Sequence, residues 1–223
     1  MFEHFRVPVS CSQELRSPSL WALTLLCLGL TLGLIGISPF GISNESGSAD
    51  MFLETAFLAG LAGCCLGTLR VDRARTILIR APQDRRFWFE LGTLGTGALL
   101  ATLFTTVPIA LAAGTQPPLL PTCLVLAHTT ALALFLVRLE LRPGTAGLLL
   151  PLLAWITPAF LGASDPRLLV RVLRAALDPT QNAALFSTAE STAGPFLASI
   201  LPIVALLGLR VTLGNLQRIN SHQ

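Results

Sequence analysis

Six of the chain's fifteen basic residues fall between Arg70 and Glu90, in the stretch RVDRARTILIRAPQDRRFWFE. The chain has no lysine, so every basic side chain in it is an arginine. Guanidinium groups bind phosphates and carboxylates through paired donors and keep their charge at any physiological pH. They suit docking rather than proton transfer. The absence of lysine removes the GK[ST] phosphate loop and any Schiff-base chemistry. No GxSG, HExxH or paired-glutamate motif occurs. The chain is therefore expected to be no enzyme, with no catalytic residue, no metal ligand and no cofactor of its own. His128 is the other candidate, because it is ionisable and lies near the middle of an apolar segment. Such residues mark proton or substrate sites by default, yet a histidine in a Thr-rich helix can also bond a neighbouring hydroxyl or carbonyl. The five cysteines form no CxxC, and four lie in apolar runs, where cysteine behaves as a small hydrophobe.

The elements that carry these residues are apolar. The chain is 52% hydrophobic and 12% charged, with mean hydropathy +0.70, against about 25% charge in a soluble domain. An all-α polytopic membrane protein is expected, a single transmembrane domain over residues 1–223. Six segments can cross a hydrocarbon core about 30 Å thick: Ser19–Ser38, Met51–Leu69, Phe87–Gly114, Leu119–Val137, Gly144–Gly162 and Pro195–Leu213. Gly29 and Gly33 form a GxxxG pair in the first. Small residues Gly60, Gly63 and Gly67 in the second, and Gly92, Gly95 and Gly97 in the third, point to close packing. Pro151 and Pro158 should kink the fifth. Glu54 and Glu90 lie close to span ends and are expected at the interface.

Three segments read as interfacial: 1–18, 70–86 and 164–178. In the second, Val71, Ala74, Leu78 and Ala81 share one helical face, and Pro82 should end the helix. Asp84 is then placed to cap the next one, with Arg85 and Arg86 at the headgroups. In the third, Ser164 or Asp165 caps and Pro166 opens an amphipathic helix. Arg167, Arg171 and Arg174 lie on one side of it, and Leu169, Val172 and Leu173 on the other. Twelve arginines fall on one side of the six-span topology and three on the other, all three in that amphipathic helix. The positive-inside rule then puts both termini in the cytoplasm. The net charge of +3 follows this topology and does not imply a nucleic-acid partner.

This layout resembles the permease subunits of ATP-binding-cassette exporters of the second type. The likeness rests on residues 1–18, on a basic helix over Arg70–Ala81 followed by xPxxRR and an aromatic span start, and on the long interval Ala163–Gly194. A glycine-lysine pair usual near the start of the third span is replaced here by FELG. The resemblance implies a short cytoplasmic coupling helix with Arg70, Arg73, Arg75, Leu78 and Arg80 meeting a cytosolic ATPase, which would hold the ATP. It further implies a homodimer or heterodimer of permeases in the cytoplasmic (inner) membrane, and an outer hairpin that is re-entrant or interfacial. Two other classes fit the residues: a polytopic assembly or scaffold protein that transports nothing, and an ion-coupled carrier using His128 as proton site.

Overall fold

The computed structural model describes residues 45–78, 81–114, 116, 118–139, 144–157, 168–180, 185–186 and 192–221. These form helices and turns, with no strand among the described residues. The helices are α1 (Glu45–Leu78), α2 (Gln83–Ala113), α3 (Leu119–Arg138), α4 (Thr145–Pro151), α5 (Leu168–Leu177) and α6 (Ala193–Ser221). Four of them, α1, α2, α3 and α6, are long and apolar enough to cross a membrane. The expected span Ser19–Ser38, its glycine pair and the 1–18 segment lie outside the described residues.

α1 differs from expectation at its basic end. The span expected to stop at Leu69 continues without a break to Leu78, so Arg70–Leu78 is not a separate helix. Nothing between Leu69 and Leu78 interrupts a helix: there is no glycine or proline, and arginine, alanine and leucine all favour it. At 34 residues α1 is about 51 Å long, well beyond a bilayer core. A tight turn at Ala81 and Pro82 reverses the chain into α2. Pro82 occupies the cap position without a side-chain hydrogen bond, so Asp84 sits inside the first turn instead of capping it. α2 ends at Gly114, whose φ of 64° closes the helix through its N–H to the carbonyl of Ala110.

α4 begins after Gly144, at φ 82°, and Pro151 marks a change of pitch. The next five residues, Leu152–Ile156, form a π-helical turn. Proline has no N–H to give, and the wider turn absorbs the missing bond. Pro158 lies outside the described residues.

α3 is the hub. From His128 to Arg138 nearly every side chain on it is buried, and it packs on α1, α2, α4 and α6. Between α1 and α2 the approach is backbone to backbone. A Cβ on Gly63 would overlap the carbonyl oxygen of Gly97, and one on Gly97 would come within 2.8 Å of the Gly63 oxygen. In an apolar solvent helices gain nothing from hiding apolar surface, so close approach of small residues supplies the attraction. Gly92 and Gly95 differ from this, with no atom near the Cβ position. They lie on the outer face of α2 with Trp88, Leu99 and Leu103.

Gly63→Ala should therefore cost about 1–3 kcal/mol, the usual penalty for overpacking against atoms that cannot rotate away. Gly92→Ala should be neutral or slightly stabilising, since alanine is the better helix former. Unfolding titrations in detergent micelles would separate them; equal midpoints for the two variants would refute the backbone contact.

Candidate functional site

The alternating helices bring their basic ends to one pole of the bundle. There Glu90, on the second turn of α2, is completely buried. Its carboxylate accepts a hydrogen bond from Arg86 Nε at 2.8 Å on one oxygen and from Arg210 of α6 at 2.5 Å on the other. Both arginines are themselves 9% exposed. The Arg210 guanidinium also stacks on the ring of Phe87, 4.6 Å from its centroid. One carboxylate thus holds two guanidiniums from two helices, with an aromatic face closing the third side.

Glu90, expected at the interface, is buried within the bundle, and Arg86, expected at the headgroups, turns inward to it. An α-helix places residues four apart on one face, so Arg86 must follow Glu90 wherever that carboxylate goes. Glu90 goes inward because Arg210 meets it there. The Arg86–Glu90 spacing was visible in the sequence; Arg210 stands 120 residues away and carried no local signal.

Other charges at the same pole are also committed. Asp72 accepts the Gly144 N–H at 2.6 Å, which ties the end of α1 to the start of α4. Arg138 is buried against α6, its guanidinium 2.8 Å from the position a Cβ on Gly214 would take. Asp72, Arg75, Arg86 and Glu90 line a cavity of about 10 Å³, the size of one water molecule. The pole is a connected polar network at the rim of an apolar bundle.

Of the expected docking residues, Arg73 is exposed, while Arg70 and Arg75 are half-buried; Arg85, expected at the headgroups, is exposed too. Leu78 is buried with Val71 in the main core, so the apolar face of this stretch packs on its own bundle and offers a partner nothing. Arg80 lies outside the described residues.

The second polar locus is at mid-height. His128 is the tenth residue of the twenty in α3 and is 2% exposed. Its Nε2 lies 2.7 Å from the backbone carbonyl oxygen of Ala176, in the last turn of α5. The end of α5 is thus held halfway along the bundle, beside the π-turn and α6, and not at the bundle's edge. Leu169, Val172 and Leu173 face outward, Leu169 being 79% exposed. Arg174 is mostly buried and pairs with Asp178, 3.7 Å away. Arg167 and the side chain of Arg171 lie outside what the structure describes. Cys64 and Cys65 pack in the helix interfaces beside Thr130 and Gly147.

Comparison with family models, with curated proteins and with solved structures gives no match to this chain.

The ion-pair network makes an ordered forecast. Glu90→Ala leaves two buried guanidiniums facing one another and should cost about 3–5 kcal/mol. Arg210→Ala leaves Glu90 paired with Arg86 and should cost less. Arg85→Ala, at an exposed position, should stay within about 0.5 kcal/mol of the parent. Thermal or denaturant unfolding of the purified protein reads this order, and a Glu90→Ala protein as stable as Arg85→Ala would contradict the burial of the network.

Proposed function

We propose that this chain is the membrane-spanning permease subunit of an ABC-type exporter, worked by a separate ATPase that docks on the 70–86 stretch. The chain would sit in the cytoplasmic membrane with its arginine-rich pole towards the ATPase and both termini on that side. The observation that carries the reading is the link between the exposed tip and the last span. Arg73 and Arg85 stand exposed on either side of the Ala81–Pro82 turn. One residue further on, Arg86 is joined through Glu90 to Arg210. A force applied at the tip by a soluble partner would reach α2 and α6 together. A stiff lever needs such a connection; a simple topological anchor does not.

The placement of α5 adds support. In this reading α5 closes the far side of the translocation path, with Leu169 and Leu173 towards lipid. The bond from His128 to Ala176 gives that histidine a structural partner, which favours the exporter over an ion-coupled carrier. Dimerisation with a second permease belongs to the same proposal.

Rim charges steer and orient a partner more than they hold it. Arg73→Glu alone should weaken ATPase association in part, and Arg73→Glu with Arg85→Glu should abolish coupling of ATP hydrolysis to transport. Both side chains are exposed, so insertion and stability should be unchanged. The test is affinity purification from native membranes followed by ATPase assay in proteoliposomes. Recovery without a cassette ATPase would favour the scaffold, and full coupling in the double variant would remove the docking role.

Topology is checked separately. In a cysteine-free background, Gln116→Cys should react with an impermeant thiol reagent in intact cells, and Arg73→Cys should react only after lysis. Labelling of position 73 in intact cells would invert the proposed orientation.

A further inference from the structure

We infer that His128 is the latch of α5: it supplies the hydrogen bond that the end of this helix lacks, and so holds the far-side gate shut at mid-depth. The argument starts from the four carbonyls that any helix leaves without partners at its C-terminus. In α5 these belong to Arg174, Ala175, Ala176 and Leu177. The Asp178 N–H serves Arg174 at 2.7 Å. Pro179 has no N–H to offer Ala175. The Thr180 N–H, which would serve Ala176 in a longer helix, is taken by the Asp178 carboxylate at 3.1 Å, and the Thr180 hydroxyl bonds the same oxygen at 2.7 Å. Asp178 and Pro179 thus end one helix and open another turn, as a cap followed by a first-position proline.

The Ala176 carbonyl is left to find a donor from elsewhere. In water that would matter little. Halfway along an apolar bundle no water takes the place of a missing donor, and His128 Nε2 is the group that reaches the carbonyl. The donor comes from α3, the helix on which α1, α2, α4 and α6 all pack. α5 is ten residues long, with Leu169, Val172 and Leu173 exposed. Among the described residues it packs on the π-turn and α6, and Leu177 at its inner end joins the main core. A short helix attached at its inner end swings when that attachment opens. Opening would bring water to mid-depth, because the freed carbonyl, Arg174 and Asp178 would all need hydration.

This deepens the gate role given to α5 above and rests on it, but the labelling that tests the latch needs neither substrate nor ATPase, and only the gate role is read from export. Ala176→Cys is introduced in a full-length, cysteine-free protein in proteoliposomes, and its rate of reaction with an impermeant maleimide is followed. His128→Leu, which fills the space and removes the donor, should raise the rate roughly tenfold, the scale of one lost hydrogen bond. His128→Gln, whose amide N–H reaches about as far as Nε2, should bring it back towards the parent rate. Asp178→Ala leaves His128 in place but releases the Thr180 N–H to serve Ala176, and should raise the rate by less than His128→Leu. Gln116→Cys reports intact folding by an unchanged rate. Parent-like rates in both His128→Leu and Asp178→Ala would overturn the latch, as would a His128→Gln protein that labels as fast as His128→Leu. Should His128→Leu fail to insert, His128→Ala against His128→Gln decides, since only glutamine keeps a donor for the Ala176 carbonyl. Faster labelling with unaltered export would leave the latch standing and remove the gate.

Discussion

A carboxylate without water must be given its hydrogen bonds by the protein, and Glu90 sets the terms for the arginine-rich pole. Its two oxygens are shared between Arg86, on its own helix, and Arg210, on the last. Burying three charged groups is costly, and a well-packed apolar trio could be as stable or more so. What the charges add is position. Arg86 fixes the rotamer of Glu90 from one turn away, and Arg210 can meet it only when α6 stands at one height and one rotation against α2. The Phe87 ring against the guanidinium narrows that choice further.

The other attachments then fall into place around this one. Asp72 pins the start of α4 to α1, and Arg138 fills the space beside Gly214. Between these polar contacts the bundle depends on contact distance alone. Gly63 and Gly97 let two backbones touch, because lipid removes the hydrophobic drive that would hold bulkier side chains together in water. Polar bonds decide which arrangement forms, and small residues let the helices close on it.

The two polar loci do different work. At the pole, one carboxylate is shared between two guanidiniums, which ties α2 to α6. At mid-height, a single neutral bond from His128 completes a helix end that the local sequence leaves open.

Much of this was legible residue by residue. Apolar length marked α1, α2, α3 and α6, because a bilayer core sets a minimum run. Gly114 and Pro82 marked the ends of α2 and the turn before it, because glycine alone adopts a positive φ freely and proline disfavours helix in the residue ahead. The amphipathic character of α5 was legible from its spacing, and so was the concentration of arginine at one set of helix ends. Which arginines turn inward was not. Arg73 and Arg85 stay exposed while Arg86, Arg138 and Arg210 do not. The difference lies in partners up to 120 residues away. The depth of α5 was likewise decided by tertiary structure. An amphipathic helix is satisfied at an interface as well as inside a bundle, and contacts distant in sequence, such as that of His128 with a carbonyl 48 residues further along the chain, choose between them.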